Sequence, residues 1–160
     1  MKIIVQRLLR RLAYVVPGGG TLRPFLHSIR GVTIGKEVWI SQYVYIDEIH
    51  PEAISIGDYC TIGIGCSIIA HLYWGKRGSG KPGKIIIEDD VFIGPHCVIL
   101  PDTHIGKGSV IQAGTTISKN VPPGVLVGRK EADILANVTV PLTKRVTIKD
   151  YLYGIRKRDG

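Results

Sequence analysis

Cysteine, methionine and aromatic residues are scarce in this chain. Its 160 residues include three Cys, one Met, two Trp and two Phe, and aromatics make up 7% of the total. Three thiols cannot all pair within one chain, and the spacing of Cys60, Cys66 and Cys97 matches no zinc knuckle. A disulfide scaffold and a zinc finger are therefore excluded as the source of the fold, and no metal site is expected. The odd thiol count fits a reducing, cytoplasmic setting. No apolar stretch approaches the ~20 residues that a membrane-spanning helix needs. Acid is also in short supply: 13 Asp and Glu face 21 Lys and Arg, for a net charge of +8. The surplus sits at the ends. Residues 1–31 carry six basic residues and no acid, residues 32–128 seven basic and nine acidic, and residues 129–160 eight basic and four acidic. A nucleic-acid binder would want its basic face on the folded body, so nucleic acid is not expected as a partner.

What the chain has in quantity is isoleucine on a beat of six. Ile34, Ile40 and Ile46 form one series, Ile56, Ile62 and Ile68 a second, and Ile87, Ile93, Ile99, Ile105, Ile111 and Ile117 a third. Six is neither the 3.6 of a helix nor the 2 of an isolated strand, and it is the period of a hexapeptide solenoid. Four residues after most of these isoleucines stands a small or β-branched residue, as at Val38, Val44, Cys60, Cys66, Val91, Cys97, Thr103, Ser109 and Thr115. Both slots are expected to point into one narrow core, with the three cysteines as fillers. Glycine often follows the isoleucine directly (Gly35, Gly57, Gly63, Gly94, Gly106) and is expected to relieve the bend at each corner. The period alone does not say how many hexads close a coil.

The pattern from Val32 to Gly128, 97 of the 160 residues, resembles the hexapeptide-repeat acyltransferases, and within them the galactoside- and maltose-type sugar O-acetyltransferases. The resemblance implies a left-handed parallel β-helix of three hexads per coil, acetyl-CoA as acyl donor, a hydroxyl of a sugar or polysaccharide precursor as acceptor, and a homotrimer with sites between subunits. Handedness could not be derived otherwise, since crossovers are normally right-handed. The stretch from Val110 to Gly124 resembles the family's G-A-G-S-x-V-x-K-D-x-P-P segment. By that correspondence Ala113, Ser118 and Lys119 are expected to line the CoA groove, and the resemblance adds Pro95 to the expected CoA contacts. Lys119, Arg129 and Lys130 are suited to its phosphates. The G-x-P-A-K turn usual in the family is replaced here by Gly128-Arg129-Lys130-Glu131-Ala132-Asp133. Ser41, Asp47 and Trp74 are expected on the acceptor; Ser41 stands where galactoside-type relatives carry an Asn.

Insertions in a repeat array map to loops that often form the binding face. One adds four residues between Ile46 and Ile56, around Glu48-Ile49-His50-Pro51; the other adds thirteen between Ile68 and Ile87, as an extruded loop over 71–84. Gly75 to Lys81 matches G-x-x-x-x-G-K, but Pro82 follows where a phosphate loop needs Ser or Thr, and a repeat strand follows instead of a helix. His71 opens the loop. A histidine held near an acceptor hydroxyl can act as general base, and the resemblance implies that role for His71, with a backbone N–H from Phe92 to Pro95 stabilising the oxyanion. His50 is expected near a neighbouring subunit's site, and His96 and His104 are expected to face outward.

Residues 1–31 read as a basic helix over Ile3 to Val16, closed by Pro17-Gly18-Gly19-Gly20, and a linker. Arg7, Arg10 and Arg11 interrupt any signal-peptide core. This helix either caps the open first coil or contacts another subunit, or it lies on the inner face of a membrane. Residues 129–160 read as a basic extension ending in a solvated helix or coil. Three alternatives stay open on sequence: a serine O-acetyltransferase-like enzyme, an amino-sugar N-acetyltransferase, and a non-catalytic β-helix.

Overall fold

The computed structural model describes residues 2–72, 81–128, 136–140 and 147–157, and the chain divides into two compact units, 1–129 and 130–160. The first unit is a left-handed parallel β-helix. Its first coil is β1 (Thr33–Ile34), β2 (Trp39–Ile40) and β3 (Tyr45–Ile46); its second is β4 (Ile54–Ile56), β5 (Thr61–Ile62) and β6 (Ser67–Ile68). The third is β7 (Ile85–Ile87), β8 (Phe92–Ile93) and β9 (Val98–Ile99), and the fourth β10 (Thr103–Ile105), β11 (Val110–Ile111) and β12 (Thr116–Ile117). β13 (Leu126–Val127) begins another turn.

The strands stack into three parallel sheets that form the faces of a prism. The orders are β1-β4-β7-β10 on face A, β2-β5-β8-β11-β13 on face B and β3-β6-β9-β12 on face C. Three hexads therefore make one coil. Each isoleucine of the comb pairs with its counterpart a coil away, as Ile46 with Ile68, Ile68 with Ile99 and Ile99 with Ile117. From Ile40 to Ile117 the isoleucines of the comb are almost wholly buried and Ile34 is partly so, with the small-slot residues packed among them, including Val38, Val44, Cys60, Cys66, Val91 and Cys97. Each thiol reaches a carbonyl in the next coil: Cys60 that of Glu88, Cys66 that of Gly94 and Cys97 that of Gln112. Burial pushes the Cys66 thiol up to about 11, and all three cysteines are free.

The corner glycines have a different purpose from the one expected. The left-handed backbone turn falls three residues after the isoleucine, at Glu37, Tyr43, Tyr59, Asp90, His96 and Asp102 and at Gly65, Gly108 and Gly114, not at the glycine that directly follows the isoleucine. Glycine directly after the isoleucine is required because the next coil passes too close. A Cβ on Gly63 would lie 2.6 Å from the Pro95 nitrogen, and one on Gly94 2.7 Å from the Ala113 nitrogen.

The N-terminal segment holds two helices where the sequence suggested one and a linker: α1 (Lys2–Val15) and α2 (Leu22–Ile29). Pro24 sits in the first turn of α2, where a missing N–H costs nothing. The segment closes the open end of the first coil. Gly19 O accepts from Ile40 N at 2.8 Å and Tyr14 O from Tyr43 N at 2.9 Å, so first-coil N–H groups with no coil beyond them are satisfied. In the second unit, α3 (Ile148–Tyr153) precedes β15 (Ile155–Lys157), which pairs antiparallel with β14 (Ala136–Val138). The tail therefore holds the expected helix, followed by a strand that the sequence did not suggest.

Candidate active site

Both insertions interrupt the same edge of the prism. The first leaves face C after β3 and rejoins face A at β4; the second leaves face C after β6 and rejoins face A at β7. They are one coil apart, so the widened corners lie one above the other. At the first, Asp47 follows β3; at the second, His71 lies three residues beyond β6.

The Asp47 side chain turns inward and is fully buried. Its Oδ1 accepts from the backbone N–H of Ile49 at 2.9 Å and of His50 at 3.1 Å, an Asx turn that shapes the insertion. Its Oδ2 accepts from Ala70 N at 2.7 Å and pairs with His71 Nδ1 at 2.6 Å. Burial alone would raise the Asp47 pKa. The hydrogen bonds from His50 N, His71, Ile49 N and Ala70 N outweigh it and hold the carboxyl below the usual carboxylate range. An ionised Asp47 accepts the Nδ1 proton of His71, which fixes the tautomer and orientation of the ring. Asp47 thus holds the His71 ring in place. The expected role on the acceptor is corrected: with both oxygens buried and each taking two bonds, it has no surface to offer a substrate.

Two further layers hold this pair. Behind it, the buried Arg30 at the end of α2 donates from Nη2 to the carbonyls of Ile46 at 3.1 Å and Asp47 at 2.6 Å. Its Nη1 donates to His27 Nδ1 at 2.8 Å. Burial and the nearby Arg10 charge lower the Arg30 pKa to about 10, so the guanidinium stays charged at neutral pH. In front, the His50 ring meets the His71 ring edge to face, centroids 5.9 Å apart, and its Nδ1 is 3.2 Å from Glu52 Oε1. His50 therefore belongs beside His71 of its own chain. A cavity of 760 Å³ opens next to it, between the helices and the first insertion, lined by Gln6, Arg7, Glu48, His50 and Glu52 among others. Arg10 of α1 forms an ion pair at 2.9 Å with Glu48, one of the lining residues.

The remaining expected residues fall on two edges. Ser118 and Lys119 follow β12 and so share the edge of Asp47 and His71; Thr116 to Pro122 with Val127 line a shallow groove of 230 Å³ there. Ser41, Pro95 and Ala113 follow β2, β8 and β11, on the edge between faces B and C. Ser41 Oγ accepts from Trp39 Nε1 at 3.2 Å, and Pro95 O accepts from Gly114 N at 2.8 Å. Face C lies between the two groups. Trp74, Arg129 and Lys130 lie outside the described residues. Of the backbone N–H groups from Phe92 to Pro95 expected as oxyanion donors, two are already engaged. Phe92 N and Gly94 N donate to Ser109 O and Ile111 O in the next coil, and proline has no N–H. His96 is exposed as expected; His104 is partly covered and 2.8 Å from Glu88 Oε1.

Residues 84–119 match the family of bacterial transferase hexapeptide (six repeats). The putative acetyltransferase YvoF of Bacillus subtilis (strain 168) is 33% identical over 128 residues, which are 80% of this chain and 73% of that protein. Several further curated relatives are longer, and the chain spans less than a third of each. Among solved structures, the hexapeptide-repeat acetyltransferase VCA0836 from Vibrio cholerae, complexed with acetyl coenzyme A, is 24% identical. It superposes with a TM-score of 0.64 over 84% of this chain and 85% of its own. A galactoside acetyltransferase in complex with coenzyme A is 23% identical, with a TM-score of 0.57 over 80% and 76%. Both share the fold. With a third of 128 aligned residues identical across most of YvoF, and the hexapeptide comb closed into a β-helix, the chain belongs to the hexapeptide-repeat acetyltransferase family.

Proposed function

We propose that the protein transfers an acetyl group from acetyl-CoA to a hydroxyl of a sugar or polysaccharide precursor, with His71 as general base. The observation that carries this reading is the His71–Asp47 pair, a partly exposed imidazole on a wholly buried carboxylate at 2.6 Å. His71 Nε2 removes the acceptor proton as the oxygen attacks the thioester carbonyl, and Asp47 stabilises the imidazolium that results. The proton returns from His71 to the departing thiolate. The acceptor enters by the 760 Å³ cavity, which falls within the range of small-ligand sites and is lined by carboxylates and an arginine able to bind hydroxyl groups. The donor is supported by the coenzyme A compounds bound to the two structural neighbours. Lys119, exposed beside the 230 Å³ groove, is suited to its phosphates.

The working unit on this reading is a homotrimer with the site between subunits. The split of the expected residues supports it, because packing copies side by side brings the His71 edge of one against the Ala113 edge of the next. The test is to follow free thiol release from acetyl-CoA with sugars, amino sugars and serine as acceptors, in the wild type and in His71→Ala and Asp47→Asn. His71→Ala should abolish transfer while the β-helix and CoA binding persist. Asp47→Asn should lower kcat by about 10²-fold or more with CoA affinity unchanged. Full turnover by His71→Ala would sink the assignment, and a preference for amino sugars or serine would redirect the acceptor.

A further inference from the structure

The cap and the membrane surface look like rival uses of the N-terminal segment in the sequence; in the structure they occupy different faces. Closing the first coil uses one side of the helix pair, where Ala13, Arg23, Leu26, His27 and Arg30 are buried. The other side carries Val5, Leu8, Leu12 and Val15 on α1, and Leu22, Phe25 and Ile29 on α2. These side chains are 42–58% exposed. At about 100° per residue the four of α1 fall within an arc of about 80°. Arg7 and Arg11, both exposed, continue that arc on one flank. Water-exposed apolar surface of this size on helices marks an interaction site.

We infer that this outward face lies in the surface of an anionic lipid bilayer. The chemistry selects the occupant. Residues 1–31 contain no acid, so pairing this face with the same face of a second copy would bring arginines together with nothing to neutralise them. A bilayer with anionic headgroups matches both halves at once: the aliphatic stripe enters the acyl boundary and the guanidinium groups stay at phosphate level. Two aromatic rings extend the same region. Trp39, 51% exposed, packs against the Gly19 turn, and Tyr43, 47% exposed, meets the Tyr14 ring with centroids 5.4 Å apart. Tryptophan and tyrosine are the side chains favoured at the membrane–water boundary. A 14-residue helix is about 21 Å long and lies in the plane. No helix among the described residues is long and apolar enough to cross a membrane. The solenoid would then stand on its first coil. On the acetyl-transfer reading, the His71 edge would sit about 20 Å from the lipid, one helix diameter plus two coils, at the end of the solenoid that faces an acceptor carried by the membrane.

Vesicle flotation of the full chain tests this, using phosphatidylcholine alone and phosphatidylcholine mixed with phosphatidylglycerol. The wild type should float with the mixed vesicles, weaken between about 0.1 M and about 0.5 M salt, and stay in solution with phosphatidylcholine alone. Leu8→Ser with Leu12→Ser, and separately Arg7→Gln with Arg11→Gln, should each reduce the bound fraction by about tenfold or more. Melting temperature and sedimentation mass without lipid should be unchanged. Absence of binding to mixed vesicles, or binding indifferent to both pairs of substitutions, overturns the inference. So does a change in sedimentation mass on substituting Leu8 and Leu12, which would assign the face to contacts between copies. None of these outcomes depends on acetyl transfer.

Discussion

Lowering the pH should loosen the protein through one buried histidine well before its carboxylates protonate. His27 on α2 is fully buried, and its Nδ1 accepts from Arg30 while its Nε2 finds no partner among the described residues. Burial, with the Arg30 charge adding to it, lowers its pKa from 6.5 to about 3. The folded state therefore holds His27 neutral where the unfolded chain takes up a proton. Its stabilising contribution is complete above pH 6.5 and is lost progressively as pH falls towards 3. At pH 5 the unfolded form is 1.5 units below its pKa. At 1.36 kcal/mol per unit, about 2 kcal/mol of stability is lost relative to pH 7.5. For a chain of this length that is a fall of roughly 4–8 °C in melting temperature. His27→Gln keeps an acceptor for Arg30 and removes the titration. Melting curves of wild type and His27→Gln should therefore converge or cross as pH falls from about 7.5 to about 5. Curves that stay parallel across that window, or a His27 ring resonance titrating near 6.5 in the folded protein, would refute the reasoning. The effect also reaches the active site, since a proton on His27 would repel the guanidinium that holds the Asp47 carbonyl.

Gly94→Ala places a methyl 2.7 Å from the Ala113 nitrogen in the next coil's backbone. It should destabilise the fold by about 1–3 kcal/mol, read as a lowered denaturation midpoint; a neutral result would mean that close approach is not why glycine stands there. Lys119→Gln should raise the KM for acetyl-CoA by about tenfold with kcat held, because a phosphate contact acts on donor binding rather than on the acyl carbon. An unchanged KM would remove Lys119 from the donor site.

The solenoid was legible because one physical constraint, burying an aliphatic side chain in every layer, writes itself into the sequence at each sixth residue. The number of sides was not legible in the period, but once three faces are known the spacing of the insertions becomes meaningful. Three isoleucines separate one insertion from the next, which is one whole coil, so both loops had to open at a single edge and bring His50 to His71. The inward turn of Asp47 could not be read. It sits in the slot after Ile46 that elsewhere holds glycine or a short polar residue, and only the four donors converging on the widened corner draw a carboxylate inside. For α2 the signal was present: Leu22, Phe25, Leu26 and Ile29 follow helical spacing, but Pro24 among them reads as a break unless it falls in the first turn. The pairing of Ala136–Val138 with Ile155–Lys157 joins segments far apart in sequence, and no local pattern announces such a match.

That both insertions share one edge gives this architecture a separation of duties. The layers of isoleucine are continuous around the other two edges, so the length and composition of the interrupted edge can drift without altering the stacking that keeps the molecule folded. New acceptors can be gained by rewriting those loops while the wall of the later coils stays constant. For an engineer, the same edge is a grafting port: foreign segments placed between Ile46 and Ile54, or between Ala70 and Gly83, would be displayed on a scaffold that registers little of the change.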